Sequence, residues 1–178
     1  AWQRLFPSEE AAPAQEAETV SGKMAVIRAR PRESDIIARL ISELNGGTKT
    51  VTRDQVMEAF GEKAFLLLEI SGKPVGVVGW QVENLVARTD DVFLDSSVPF
   101  MDGLGLLMRE VERASRELEC EASLLFLPTA LENQETVFRA LGYQRRTVER
   151  LGVRAWEEAA EESMPEGCIM LFKQLRQD

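Results

Sequence analysis

Residues 99–113, "PFMDGLGLLMREVER", place two glycines directly before a strongly amphipathic run. The apolar residues of this run recur at helical spacing, with arginine and glutamate on the other side: Leu104, Leu107, Met108, Val111, Ala114 and Leu118. Gly103 and Gly105 stand where the predicted helix begins. Glycines there either let an anion approach the free N–H groups of the first helical turn, or only form the turn that starts the helix. Asp102 favours the second interpretation, because aspartate is a preferred N-cap residue.

A strand and two helices are predicted ahead of this segment. "MAVIRAR" alternates apolar and basic residues, as a half-buried strand does. "ESDIIARLISELNGG" predicts a helix with Ser34 as its N-cap and Gly46 or Gly47 as its stop. "TRDQVMEAFG" predicts a second, shorter helix, in which Thr52 and Gln55 form a capping box.

An antiparallel meander is predicted next. "AFLLLEI" and "PVGVVGWQVENLVA" are apolar runs joined by "SGK", which is a hairpin signal. "DVFLDSSV" predicts a third strand after a turn at Thr89 and Asp90.

The second half of the chain alternates helices and strands. "ASLLFLP" is a continuous apolar run of the kind buried on both faces of a sheet, and "ENQETVFRALGY" predicts a helix that Gly142 ends. "YQRRTVERLGVRAW" and "CIMLFKQL" predict two closing strands. Between them, the acidic insert "EEAAEESMPEG" predicts a solvated loop, with Trp156 exposed at its border. The fold class is therefore α/β (α+β), with a mixed sheet.

Residues 1–23 are predicted to be a flexible N-terminal extension of a domain formed by residues 24–178. The extension is rich in alanine, glutamate and proline and shows no sustained apolar period. Its first residues, "AWQRLF", form an apolar anchor that either docks on a protein surface or is a frayed end.

Composition narrows the classes of function. The formal charge of −9 repels nucleic acid and anionic membrane surfaces. The same charge either attracts cationic ligands such as amines or, as on most soluble proteins, serves only solubility. Histidine is absent, which excludes Ser-His-Asp catalysis and His-ligated zinc, and Cys120 and Cys168 lie too far apart in sequence to suggest a metal cluster. We expect a cytoplasmic protein that has no metal site and no partner among nucleic acids or membranes.

The order of these elements resembles the GNAT acetyltransferase superfamily over residues 24–175. The resemblance is carried by "GLG" before the long helix, by "ASLLFLP" and by the helix ending "VFRALGY". It implies a mostly antiparallel central sheet of six to seven strands flanked by about four helices. It also implies acetyl-CoA as the cofactor, bound through its diphosphate at the glycine turn. Two positions depart from the family pattern: Phe100 stands where the family has Gln or Arg, and Phe138 stands where it has Tyr.

The resemblance assigns candidate site residues. The cofactor-binding segment would be Asp102, Gly103, Leu104, Gly105 and Leu106.

For the general base, the family often uses a carboxylate on the middle strands, which here points to Glu83 or Asp95. The favoured interpretation of each carboxylate is nevertheless an outward-facing strand residue or a turn cap. Phe138 cannot donate a proton as the family tyrosine does, and for Tyr143 we expect a packing role.

Two functions remain open at this stage. The first is acetyl transfer from acetyl-CoA to an unidentified amine, carried by a small molecule or a protein. The second is a catalytically degenerate GNAT-like domain that serves as a binding or assembly module. In the second case the apolar anchor, with Trp2, Leu5 and Phe6, or the acidic insert would contact a protein partner or a second copy of the chain in a homodimer.

Overall fold

The computed structural model describes residues 15–19, 22–45 and 50–176, and these residues form one eight-stranded sheet. The strands in chain order are β1 Gln15–Thr19, β2 Gly22–Arg28, β3 Ala64–Ile70, β4 Lys73–Glu83, β5 Val86–Leu94, β6 Ala122–Pro128, β7 Gln144–Arg145 and β8 Cys168–Gln174. Their spatial order is β1-β2-β3-β4-β5-β6-β8-β7. Each neighbouring pair is antiparallel except β5 and β6, which are parallel.

Helices cover both faces of the sheet. They are α1 Ser34–Leu44, α2 Arg53–Ala59, α3 Phe100–Glu117, α4 Glu135–Ala140 and α5 Arg154–Ser163. α3 and α4 pack on one face, where Leu66 and Leu68 of β3 point, whereas α1 and α2 pack on the other face against Phe65 and Leu67. α5 covers that second face over β6 and β8. Successive side chains of each strand therefore enter the apolar layers on opposite faces of the sheet. This burial on both faces is what the continuous apolar strands predicted. No helix among the described residues is long and apolar enough to cross a bilayer.

The predicted fold class is confirmed, with one strand more than expected. Seven strands, β2 to β8, belong to the predicted domain. The eighth, β1, lies in the predicted extension and pairs with β2 from Gln15 opposite Val26 to Thr19 opposite Gly22. Residues 1–14, with the apolar anchor, lie outside the described residues, so the proposed boundary and the anchor stay predictions.

The predicted turn at Thr89 and Asp90 is wrong. The chain reverses at Asn84 and Leu85, whose φ angles are +52° and +64°, and both predicted turn residues lie inside β5. Asn tolerates the left-handed region because its short side chain bonds locally, whereas the polar run at 88–91 imitates a turn only in composition. Asp90 is the extra residue of a β-bulge, since Gly79 pairs with Asp91 and Trp80 with Thr89.

The structure also tests the predicted helix ends. The capping box is confirmed: the Thr52 amide donates to Gln55 Oε1 at 2.9 Å, and the Gln55 amide donates to Thr52 Oγ1 at 3.2 Å. Ser34 is not an N-cap, because it is the first residue of α1 and its hydroxyl donates to the Pro31 carbonyl at 2.6 Å. The predicted stops Gly46 and Gly47 lie outside the described residues.

The acidic insert is largely helical rather than a solvated loop. α5 buries Trp156, Ala159 and Ala160, of which the two alanines lie three and four residues after the tryptophan and so share its face, and exposes most of its glutamates. Trp156 is only 8% exposed, packs on Phe172 and donates from Nε1 to a Glu121 carboxylate oxygen at 3.3 Å. The expected exposure of Trp156 is therefore wrong, because three apolar residues are enough to dock a helix that also carries four glutamates. The first closing strand is reduced to the two residues of β7.

Candidate functional site

The parallel strands β5 and β6 separate part of the way along their length. Their ladder runs from Val86 opposite Ala122 to Thr89 opposite Leu125 and ends there. β5 nevertheless continues to Leu94 and β6 to Pro128. The two carboxyl-terminal halves therefore enclose a wedge lined by backbone polar groups, at the edge where open α/β sheets bind ligands.

Helix α3 begins at the open end of this wedge. Its N-cap is Pro99, and the Gly103 amide already donates to the Pro99 carbonyl at 3.0 Å. The amides without an acceptor inside the helix are thus those of Phe100, Met101 and Asp102. Asp102 lies in the first turn and its side chain makes no capping hydrogen bond, so its predicted N-cap role is wrong. Pro99 takes the position because proline lacks the N–H group and has a fixed φ.

The early start of α3 changes the expected cofactor segment. Leu104, Gly105 and Leu106 lie inside the helix, where each amide donates to the carbonyl four residues back. The side chains of Leu104 and Leu106 are buried in the core. Of the five predicted residues, only Asp102 keeps an amide that faces out of the helix end.

Gly103 and Gly105 differ in how much space surrounds the position that a Cβ atom would take. A Cβ added to Gly103 would lie 2.7 Å from Val98 Cγ1 and 3.0 Å from Leu68 Cδ2, so this glycine lets α3 pack closely on the sheet. A Cβ added to Gly105 would meet only Leu141 Cδ2, at 3.9 Å. Gly105 therefore leaves open space about one and a half turns into the helix, whereas Gly103 is required by the core.

The two departures from the family pattern touch each other. Phe100 and Phe138 pack edge to face, with ring centroids 6.2 Å apart and an interplanar angle of 77°. Phe138 is fully buried, and Phe100 is partly buried against the same core. Neither ring offers a hydrogen-bond donor, so the start of α3 presents backbone groups and an aromatic pair.

The structure does not bring Glu83 to the wedge. Glu83 ends β4 opposite Val86, at the closed end of the β5–β6 ladder, on the order of 25 Å along the strand from the start of α3. Its side chain is 47% exposed and pairs with Arg88 at 2.9 Å. The interpretation as an outward-facing strand residue fits this geometry, and the role of general base does not.

Asp95 lies at the same end of the sheet as the opening of the wedge, directly before α3. Its Oδ1 accepts hydrogen bonds from the Ser97 amide at 2.9 Å and from the Ser97 hydroxyl at 2.8 Å. These bonds lower the pKa of Asp95, because they favour its ionised form. A carboxylate with a lowered pKa is a weak proton acceptor, so Asp95 is well placed but is occupied in capping a turn.

A second group of charges lies where the ladder ends. Lys63 Nζ donates to Asp90 Oδ1 at 2.7 Å and to Asp91 Oδ2 at 3.0 Å. The bulge places these two successive carboxylates on the same side, and Gly79 leaves room for them, since a Cβ there would lie 2.7 Å from Asp91 Oδ2. Burial, and then the neighbouring Asp91 charge, raise the pKa of Asp90 despite the opposing effect of Lys63. Sequence reasoning missed this cluster because "TDD" imitates a turn.

A buried polar network connects α3, β6 and β8. The Tyr143 hydroxyl lies 2.8 Å from Ser123 Oγ and donates to Glu112 Oε2 at 3.3 Å. Lys173 Nζ donates to Glu112 Oε1 at 2.7 Å and to the Leu141 carbonyl at 2.8 Å. Burial, and then the Glu112 charge, raise the pKa of Tyr143 well above its usual 10.0. Tyr143 is 1% exposed and packs in the core, as predicted.

Solved acetyltransferases share this architecture. A GNAT-family acetyltransferase from Staphylococcus aureus aligns over 86% of this chain and 99% of its own, with a TM-score of 0.66 and 14% identity. The PaiA N-acetyltransferase from Thermoplasma acidophilum, solved with coenzyme A, aligns over 85% and 98%, with a TM-score of 0.63 and 8% identity. The ribosomal-protein-S18-alanine N-acetyltransferase from Escherichia coli aligns over 87% and 96%, with a TM-score of 0.66 and 11% identity. No protein-family model and no curated protein sequence matches the chain. These likenesses confirm the predicted fold.

Proposed function

We propose that this chain, whose fold is that of the GNAT acetyltransferases, is an acyl-CoA-dependent N-acyltransferase that transfers an acetyl group to an amine. The observation that carries the proposal is the wedge between β5 and β6, which opens beside the start of α3. A similar fold in the Thermoplasma acidophilum enzyme was solved with coenzyme A. The acceptor is an amine of a small molecule or a protein.

The backbone of this chain fits the donor. The free amides of Phe100, Met101 and Asp102, with the positive end of the α3 dipole, suit a diphosphate. The unpaired edges of β5 and β6 suit an extended amide-containing arm, because such an arm can complete the interrupted ladder. When bound, acetyl-CoA supplies a thioester whose thiolate leaves readily.

The charge cluster at the bulge suits the acceptor. Asp90 and Asp91 already hold one alkylammonium group, that of Lys63, at the point where the ladder ends. A substrate ammonium group would be attracted to the same carboxylates. Asp90 is the better proton acceptor of the candidate carboxylates because its pKa is raised, whereas that of Asp95 is lowered.

These groups account for the bonds and protons that change during the acetyl transfer. The acceptor ammonium loses one proton to Asp90, and its nitrogen forms a bond to the thioester carbonyl carbon. The C–S bond breaks as the sulfur leaves with its electron pair, the second proton passes from the nitrogen to solvent water, and solvent returns a proton to the thiolate. No tyrosine hydroxyl reaches the thiolate, since Phe138 occupies the family position and the one tyrosine is buried in the Glu112 network.

One contact favours a second candidate function, a catalytically degenerate binding or assembly module. The edge-to-face pair of Phe100 and Phe138 removes both polar side chains that the family pattern supplies. If this pair closes the wedge to the donor, only the surface of the domain remains for function.

Calorimetry with acetyl-CoA separates the two candidates. Gly105→Glu and Gly105→Gln have side chains of the same length in open space about 7 Å from the first amide of α3 and differ only in charge. Repulsion of about 1 kcal/mol between Glu and a bound diphosphate predicts about fivefold weaker binding for Gly105→Glu than for Gly105→Gln. Micromolar binding with this difference supports the acyltransferase. No heat at millimolar acetyl-CoA would rule out the acyltransferase and leave the binding module.

A further inference from the structure

An arginine-rich surface lies at the β7 edge of the sheet. Residues 139–154 contain five arginines and one glutamate, a local charge of +4 in a chain whose formal charge is −9. We call the side chains of Arg139, Arg145, Arg146 and Arg150 the arginine surface. Its charge is opposite to that of the whole molecule, so it attracts anions that the rest of the protein repels.

Two adjoining cavities are lined by this surface. One, of about 410 Å³, is lined by residues that include Arg139 and Arg145. The other, of about 720 Å³, is lined by Arg145, Arg146, Thr147 and Arg150. Arg145 is common to both cavities. A ligand with two anionic groups can therefore place one group in each cavity.

The guanidinium groups of Arg145 and Arg146 are held in place before a ligand arrives. Arg146 lies over the Phe172 ring at 4.5 Å, and its Nη2 is 3.4 Å from Gln144 Oε1. Arg145 pairs with Glu132 at 2.7 Å and with Glu135 at 3.6 Å, and Arg139 pairs with Glu135 at 3.7 Å. Both arginines are at least half exposed, so these are contacts of modest energy that a phosphate can replace. Across the described part of the chain, no carboxylate forms an ion pair with Arg146 or Arg150.

We propose that the arginine surface is a binding site for a ligand that carries two or more phosphate groups. The planar guanidinium group of arginine can donate two parallel hydrogen bonds to two oxygens of one phosphate. A phosphate also carries more negative charge than a carboxylate, so it is attracted more strongly to each guanidinium group. β8 separates β7 from β6, so Arg145 on β7 lies about 10 Å from β6 and the wedge, whereas Arg139 follows Phe138 on α4 and lies nearer to the start of α3. We therefore place the site at the β7 edge, separate from the acyl donor.

Titration with inorganic pyrophosphate at low ionic strength tests the proposal, read by calorimetry and by backbone amide NMR shifts. We expect saturable binding with shifts concentrated in residues 142–150, and about tenfold weaker binding for Arg150→Gln and for Arg145→Gln. The matched control is Arg154→Gln, which removes the same charge from a 90% exposed side chain on α5 and should change the affinity less than twofold.

Four results would overturn it. Shifts confined to residues 100–105 would place the anion at the start of α3. Equal weakening by Arg154→Gln would show only a general charge effect. Binding of tetraglutamate as tight as that of pyrophosphate would assign the surface to acidic peptides instead. Acetyl-CoA affinity should be unchanged in Arg150→Gln, and a parallel loss would make the arginine surface part of the donor site rather than a separate one.

Discussion

Replacing Lys63 with methionine should destabilise the protein in a pH-dependent way. Methionine keeps most of the apolar stem of lysine and removes its charge, so two neighbouring carboxylates lose their common partner. Fully buried pairs cost about 3–5 kcal/mol when one partner is removed, and exposed pairs contribute about 0–1 kcal/mol. The side chains of Lys63, Asp90 and Asp91 are 14%, 25% and 18% exposed, which lies between these limits. We expect a loss of about 2–3 kcal/mol at pH 7.

The sign of the pH effect follows from Asp90. Its folded-state pKa is raised above 3.8 although Lys63 opposes the shift, so without Lys63 it rises further. Between the pKa of Asp90 in the unfolded chain and its higher pKa in the folded variant, the folded state binds more protons than the unfolded chain. The stability of the variant therefore falls as the pH rises through this range. The deficit relative to wild type should therefore be largest at neutral pH and shrink on acidification. The carboxylates raise the pKa of Lys63 above 10.5, outweighing burial, so its own contribution is complete below that pH and is lost above it.

Thermal unfolding followed by circular dichroism between pH 4 and pH 8 measures both effects. For a chain of this size the predicted loss corresponds to about 5–10 °C in Tm at pH 7. Lys73→Met, at an exposed lysine of β4, is the charge-matched control and should change the stability by less than about 0.5 kcal/mol. Adding Asp90→Asn to Lys63→Met should recover part of the loss. A change in Tm below about 1 °C at pH 7, or a deficit that does not vary with pH, would refute this reasoning.

Three further predictions follow from the core. Gly103→Ala should lower the free energy of unfolding in urea by about 1–3 kcal/mol because its Cβ has no room, whereas Gly105→Ala should raise it by about 0.5–1 kcal/mol, and equal effects would contradict the different packing of the two glycines. Lys173→Met should cost about 2–4 kcal/mol by leaving the buried carboxylate of Glu112 without its closest cation, and adding Glu112→Gln should recover more than half of that loss. Tyr143 is the one tyrosine, so absorbance at 295 nm should show its phenolate only well above the usual midpoint of 10.0 while the protein stays folded, and a midpoint near pH 10 in the folded protein would show that its hydroxyl is not buried.

Patterns that act over a few residues predicted much of the fold. The capping box at Thr52 and Gln55, the apolar stripe of α3 and the buried strand β6 all depend on neighbours within one or two turns, and each was correct in type. α5 was missed because its three buried residues stand among acidic ones, and the turn at Asn84 was missed because Leu85 rarely adopts a positive φ.

The candidate site was harder to predict because it depends on strand pairing. The cluster of Lys63, Asp90 and Asp91 forms only when β3, β4 and β5 pair in the observed register, with a bulge that no local pattern reveals. The wedge likewise depends on where the β5–β6 ladder stops. Glu83 is a candidate in sequence because it is a carboxylate on a middle strand, and that placement does not specify the end of the sheet at which a strand residue lies.

The two unusual phenylalanines are one structural feature rather than two independent losses. In sequence, Phe100 and Phe138 appear as separate departures from a polar pattern, but in the structure their rings are in contact. A polar group at either position alone would face a buried ring, and an unsatisfied buried hydroxyl or amide costs about 1–3 kcal/mol. With a phenylalanine at one of the two positions, a phenylalanine at the other is therefore more stable than a polar residue. The amides at the start of α3 and the edges of the wedge do not depend on either side chain, which is why donor binding can be tested separately from proton transfer.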